Sequence, residues 1–407
     1  MVGARALKDA SVLGISHALT LLLGLASTVA WTRWMPVEMF GQFKVVMGVV
    51  SFAGAFCLVG VGQVALMSAS SHADGNLVPL IRAKLLANLG GATLILCGAA
   101  YYFWMREDSV ALASGLVAAA LLFPFYNNND VWAGWLNGKG KFASLAAGRL
   151  LASGLALCAV LLMVLFHVGS VWLAIAILLA LLSVQNAHML SKALRLRANK
   201  DCDHQLMRFG RHATVALMFT SILALDVVFL EYFHAVEEVA LYAVALVLPG
   251  LLKTVFGIIG QVVAPKIYAT DSPRELWPSY RSKFYWLTLG FVVLGVAGFY
   301  LIPVLLPLLF SEQYAAAGNY ARWLWLVISC TGSFAYLGSA LLATRQPQYV
   351  YMPNVGAPVI VIFLWIVCVD YGAAGMVFAR CMQATLLTLY YWIAFSRYLG
   401  GLRVGNQ

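Results

Sequence analysis

Ionisable side chains stand inside long apolar runs of this chain, among them Asp130, Arg149, Asp226, Lys253 and Arg380. A charge at membrane depth costs several kcal/mol, so each must be paired or put to use. Around Lys253, Pro249 and Gly257 each lie four residues away, and Gln261 lies four further on. Proline frees a backbone carbonyl and bends a helix, and small neighbours leave room beside the ammonium. A Gly/Pro-interrupted apolar run carrying a charge is the pattern of a transporter binding site. The other reading is a lysine that snorkels or pairs with an acid on a neighbouring helix. Arg149 and Arg380 offer the planar fork that suits a phosphate or carboxylate, or else pair structurally. Lys44 and Arg33 stand near the ends of their runs. Interior cations outnumber the deep acids Asp130 and Asp226, which favours an anionic ligand over a cationic one.

The fourth apolar run is interrupted by Asn127-Asn128-Asn129-Asp130. On one continuous helix Asn127, Asp130, Gly134 and Asn137 share a face. Lipid cannot satisfy such a stripe. It either lines a polar cavity or hydrogen-bonds to a neighbouring helix. Asp226 has no polar neighbour three or four residues away. Its partner comes from another helix, or it binds a coupling proton or sodium ion. His17 and His188 read as structural. The chain carries no G-x-x-x-x-G-K-[ST] loop, so ATP does not drive it directly. Its seven cysteines form no C-x-x-C and no standard metal spacing, so neither a catalytic set nor a metal site is expected.

The elements that position these residues follow from composition. Only 10 % of the 407 residues are charged, against about 25 % in soluble domains, and 62 % are hydrophobic. Too few charges exist to cover soluble surfaces, which excludes a soluble enzyme, a disordered chain and a disulfide-stapled scaffold. Runs of about 20 apolar residues span a bilayer as helices. Twelve candidates occur, at 11–31, 42–69, 85–104, 111–136, 143–165, 171–190, 213–231, 239–265, 284–306, 322–343, 355–369 and 375–395. The first is too long for a signal peptide's apolar region. Run length and the lack of strict alternation argue against a barrel.

Lys and Arg orient the spans. Lys44, Arg149, Lys253 and Arg380 lie within runs, and only Arg33, Arg106 and Arg322 fall in loops on one side. All the other basic residues, Arg82 and Lys84 among them, collect on the opposite side, so both termini are expected to be cytoplasmic. The net charge of +10 is then loop charge, with no nucleic-acid surface implied. The one long polar connection, 191–212, is a cytoplasmic basic linker between two six-helix bundles, 1–190 and 213–407. The halves echo each other: Val37-Glu38-Met39-Phe40-Gly41-Gln42-Phe43 aligns with Val236-Glu237-Glu238-Val239-Ala240-Leu241-Tyr242 at an offset of 199. Two like-oriented halves suggest an internal duplication of the transporter type. The outer loops, 32–41, 105–110, 166–170, 232–238, 307–321 and 370–374, are too short to hold a catalytic domain.

Glu38-x-Phe40-Gly41-Gln42-Phe43 opening the second span, with Gly60-Val61-Gly62-Gln63 at its far end, resembles the bacterial polysaccharide repeat-unit flippases. These belong to the multidrug/oligosaccharidyl-lipid/polysaccharide transporter superfamily. Asp226, Val239-Ala240-Leu241-Tyr242-Ala243, Ala264-Pro265, Leu308-Leu309-Phe310, Tyr314-Ala315-Ala316-Ala317 and Tyr371-Gly372-Ala373-Ala374-Gly375-Met376 continue the match in order. The resemblance implies an all-α integral membrane protein of about twelve transmembrane helices, in two six-helix bundles around a central cavity. It implies alternating-access transport of polyprenyl-diphosphate-linked oligosaccharide in the bacterial inner membrane. The product would feed O-antigen, and hence lipopolysaccharide, capsule or exopolysaccharide synthesis, with a polymerase and chain-length regulator as partners. The cavity candidates are Lys253, Arg149, Arg380, Asn127, Asp130, Lys44 and Gln261, and the ion-coupling candidate is Asp226. The competing readings are a cation-coupled multidrug antiporter, which needs acids in its cavity, and a membrane glycan polymerase or glycosyltransferase, which needs a large outer loop.

Overall fold

The computed structural model describes residues 2–105, 110–203, 214, 218–256, 273–343, 349 and 352–400. Among them helices and short turns account for the fold, and no strand is present. Nine helical stretches among the described residues are long and apolar enough to cross a membrane. The chain is a multi-pass membrane protein. It divides by its internal packing into two compact units, Met1–Val228 and Phe229–Gln407.

Unit 1 begins with α1 (Val2–Trp34), α2 (Val37–Ala55), α3 (Val61–Ser70) and α4 (Leu77–Met105). It continues with α5 (Val110–Tyr126), α6 (Asn129–Gly138), α7 (Phe142–Leu165) and α8 (Val171–Arg195). The main pairings are α1 on α7, α4 on α5, α5 on α8, and α3 on α6. Two of its spans are broken. The second stops at Ala55, turns through Leu58 at a left-handed φ of 55°, and restarts as α3. The fourth stops at Tyr126 and restarts at Asn129. The expected continuous stripe through Asn127, Asp130, Gly134 and Asn137 is therefore absent, because Asn127 precedes the break and Asp130 follows it. Pro124 and three consecutive asparagines explain this: proline weakens the helix, and asparagine side chains compete for its backbone hydrogen bonds. Gly134 serves packing. A Cβ there would collide with the Gly62 carbonyl, so α3 and α6 cross at glycine. Below that crossing Val64, Trp132, Trp135, Leu136 and Leu145 form a closed apolar core.

The division between the units falls within α9 (Asp226–Phe233). Unit 2 holds α10 (Val236–Ala245), a helical stretch 247–256, α11 (Pro273–Phe310), α12 (Ala315–Gly332), α13 (Ala335–Ala343), α14 (Ala357–Cys368) and α15 (Gly372–Gly400). α10 ends at Ala245, four residues before Pro249, whose ring clashes with that carbonyl and which cannot donate to it. Helices α2 and α10 start at Val37 and Val236, the offset at which the two halves of the sequence echo each other. Gly372, with φ +59°, lets the chain reverse into α15, and the Glu238 carboxylate accepts the Ala373 N–H at 3.0 Å. The His234 ring meets the Val369 carbonyl at 2.6 Å. Together these two bonds fix the register of α10 on α15.

Candidate functional site

A helix broken inside a membrane leaves carbonyls that only protein groups can satisfy. In unit 1 that task falls to four side chains. Lys84 and Asn88, one turn apart on α4, face both breaks. The Lys84 ammonium donates to the Cys57 carbonyl in the second-span break at 2.7 Å and to Asp130 Oδ2 at the start of α6 at 2.9 Å. Lys84 is only 2 % exposed. Asn88 Nδ2 donates to the Pro124 carbonyl at 3.2 Å and the Asn127 carbonyl at 3.1 Å, and its Oδ1 accepts from Asn127 at 3.0 Å. Asn128 is buried and turns back on the Pro124 carbonyl. Asn186 of α8 donates to the Tyr126 carbonyl and accepts the Trp132 indole N–H at 2.9 Å.

Between the breaks lies a cavity of about 290 Å³. Its polar wall is Lys84, Asp130, Tyr126, Asn127, Asn129 and Ser51, and its floor is small and apolar, with Gly54, Ala55 and Val59. Asp130 Oδ1 also accepts the Val131 N–H at 3.0 Å, so the carboxylate is anchored to the first turn of α6. The site is internally neutral, with one ammonium and one carboxylate in contact.

In unit 2 the arrangement differs. Lys253 stands one turn beyond Pro249 and is exposed on the surface of the unit. Arg380 of α15 lies within range of its charge, so the two like charges repel. No ion pair to Lys253 is present among the described residues. Arg380 is half-buried, and its Nε lies 3.4 Å from the Tyr242 hydroxyl, a long hydrogen bond to α10.

The structure thus brings Asn127 and Asp130 to one cavity, and Lys253 and Arg380 together in unit 2. Lys44 and Arg149 are not among the residues of the unit 1 cavity. Lys44, half-buried on α2, rests over the Phe40 ring at 5.1 Å. Arg149 Nη1 lies 2.9 Å from His17 Nε2, tying α7 to α1. Asp226 is 4 % exposed, and its Oδ1 accepts the N–H of Val227 at the start of α9. Gln261 lies outside the described residues. Lys84 is the functional side chain that a loop assignment misses: it is a buried residue of α4, not a cytoplasmic charge. The four-residue spacing of Lys84 and Asn88 was the available signal.

The described residues hold no group of three or more metal-ligating side chains. No protein-family model matches the chain, and no curated protein matches its sequence. Solved structures do match it. A lipid II flippase MurJ in an inward closed conformation aligns over 94 % of this chain and 87 % of its own, with a TM-score of 0.70 and 12 % identity. A MATE transporter in the bent conformation aligns over 98 % and 95 %, at 0.67 and 14 %. So does a MOP superfamily transporter from Pyrococcus furiosus, described by a reverse polarity of its binding pocket, over 96 % and 95 %, at 0.67 and 14 %. The chain has the fold of the MOP superfamily transporters. It is an all-α membrane protein of about twelve helices in two bundles. The second, fourth, eighth and tenth spans are each interrupted, and the seventh and eighth lie partly outside the described residues.

Proposed function

We propose that the chain is a flippase that moves polyprenyl-diphosphate-linked oligosaccharide repeat units from the cytoplasmic to the outer leaflet of a bacterial inner membrane. The product would serve O-antigen, capsule or exopolysaccharide synthesis. The observation that carries this reading is the pair Lys253 and Arg380, two cations on apolar helices of unit 2 whose charges act on each other. Two like charges on apolar helices favour an anionic cargo over a cationic one. A diphosphate supplies the anion, and the guanidinium can take two of its oxygens at once. The fold supports the reading, since one protein that shares it is a lipid II flippase. The cycle is alternating access, with both termini cytoplasmic and with energy from a proton or sodium gradient or from product removal. Asp226, buried at the start of α9, is the candidate for the coupling ion. A polymerase and a chain-length regulator in the same membrane would take up the product.

A multidrug antiporter would present acids to its cargo. In the unit 1 cavity the acid Asp130 already holds Lys84, which weighs against a cationic drug.

The test is reconstitution in liposomes with a fluorescent polyprenyl-diphosphate oligosaccharide, read by its accessibility to an outside quencher. Lys253→Ala with Arg380→Ala is expected to lower flipping about tenfold or more in protein that elutes and melts like wild type. Full flipping by that double variant, or uptake of a lipophilic cation in place of the glycolipid, overturns the reading.

A further inference from the structure

We infer that the unit 1 cavity is a sugar subsite that binds one neutral pyranose of the cargo's glycan. This rests on the flippase reading for what carries the sugar, but the chemistry of the site stands on its own geometry.

Its hydrogen-bonding capacity is mixed and partly unspent. The Lys84 ammonium has three protons, and two are used, on Cys57 and Asp130. The Asp130 carboxylate has about four acceptor positions, of which Lys84 and the Val131 N–H take two. Asn127 spends one N–H on Asn88. The exposed Asn129 amide and the Tyr126 hydroxyl meet no side-chain partner among the described residues, and the Ser51 hydroxyl donates to Met47 with its lone pairs open. Donors and acceptors therefore alternate around one small space.

That pattern sorts ligands by charge. A phosphate would face the Asp130 carboxylate, and an ammonium drug would face Lys84. A sugar hydroxyl donates and accepts at once, so it can meet the ion pair without breaking it. The apolar floor at Ala55 and Val59 suits the C–H face of the ring. At about 290 Å³ the cavity sits near the lower end of the roughly 300–1,000 Å³ range of small-ligand sites. It has room for a single sugar unit and not for a whole repeat.

Gly54 provides the means of testing this. The atoms nearest a Cβ placed there belong to the Asn127 side chain, at 3.7 Å, so alanine fits and a large ring would occupy the cavity. Purified full-length protein is titrated with methyl glycosides of glucose, galactose, mannose, N-acetylglucosamine and N-acetylgalactosamine, with binding read by saturation-transfer NMR. Inorganic pyrophosphate and tetraphenylphosphonium serve as the anionic and cationic probes. At least one glycoside is expected to bind, Gly54→Ala to keep that binding, and Gly54→Phe to weaken it about tenfold or more with pyrophosphate binding unchanged. If Gly54→Phe does not fold, Ser51→Trp, at an exposed position one turn earlier, fills the same space. The inference is overturned if no glycoside signal is lost on filling the cavity, or if filling it removes pyrophosphate or tetraphenylphosphonium binding instead. Cavity-dependent glycoside binding in a protein that flips nothing would keep this inference and sink the flippase reading. Full glycolipid flipping with no such binding would do the reverse.

Discussion

Lys84 in unit 1 and Lys253 in unit 2 both stand inside apolar helices, and the two units treat them in opposite ways. Lys84 is shut away from solvent, held by a backbone carbonyl and by Asp130. Lys253 is exposed on its unit, with Arg380 as its charged neighbour. A buried ammonium that finds a carboxylate and a carbonyl has met its desolvation cost within the fold. The Lys253 ammonium is exposed and meets no carboxylate among the described residues. The same residue type has its charge matched within the fold in one half and left to its surroundings in the other. Its neighbours decide which.

The largest effect that would break this comparison is on stability. Lys84→Met leaves the partly exposed Asp130 carboxylate without its counter-charge and the buried Cys57 carbonyl without its donor, which together cost about 3 kcal/mol. Denaturant or thermal unfolding in detergent measures it. The double variant Lys84→Met with Asp130→Leu is expected to recover much of the loss, because the uncompensated charge is gone. Lys253→Met, in contrast, is expected to change stability by about 0.5 kcal/mol or less. If the two methionine variants lose stability equally, the lysines are not doing different work.

A middle-sized effect concerns the carbonyls of the broken fourth span. Asn88→Ala removes the donor to the Pro124 and Asn127 carbonyls and the acceptor for Asn127. Leaving buried groups unsatisfied costs about 1–3 kcal/mol, less than Lys84→Met because no charge is stranded. The same unfolding measurement ranks the two variants, and an Asn88→Ala loss above that of Lys84→Met would mean that the break, not the ion pair, anchors unit 1.

How much of this was legible in the sequence follows from how local each cause is. Apolar run length placed the spans, because in lipid a helix is the only open-chain solution. Pro249 marked the end of α10 at Ala245, because a proline acts within four residues of itself. The register of α2 and α10 was visible as an offset of 199, since both helices start at the echoed segment. The broken fourth span was only half visible. Pro124 and the asparagines announced a polar feature, but hydropathy averages over a break of two residues. Lys84 was hidden altogether: beside Arg82 at the edge of an apolar run it counts as loop charge. Its partners Cys57 and Asp130 lie 27 and 46 residues away and are brought to it by packing. Arg380 meets Tyr242 across 138 residues. Long-range pairing of this kind is set by which helices neighbour which, and no local pattern encodes it.

The smallest effect tests whether the segment that follows α8 is a free tether. Its first residues are not loose. Asp74, fully buried, accepts the Lys139 ammonium at 2.6 Å on one oxygen and the Ala198 N–H at 2.7 Å on the other. Its own N–H donates to Asn199 Oδ1 at 3.0 Å, the Gly75 N–H donates to the Asp201 carbonyl at 2.8 Å, and Asn76 exchanges bonds with the backbone of Asp203. The segment 198–203 is therefore packed into unit 1. Asp74→Asn keeps the shape but leaves one acceptor oxygen, so its NH2 faces either the Lys139 ammonium or the Ala198 N–H and one of the two bonds is lost, at about 1 kcal/mol. Global unfolding will barely register that change. Local opening will, as faster hydrogen exchange at the Ala198 amide and faster tryptic cleavage after Arg197 and Lys200. Those bonds sit behind the clamp only while the carboxylate holds it. Cleavage at the wild-type rate in Asp74→Asn would mean that the backbone bonds at Gly75 and Asn76 hold the segment without help from the charge.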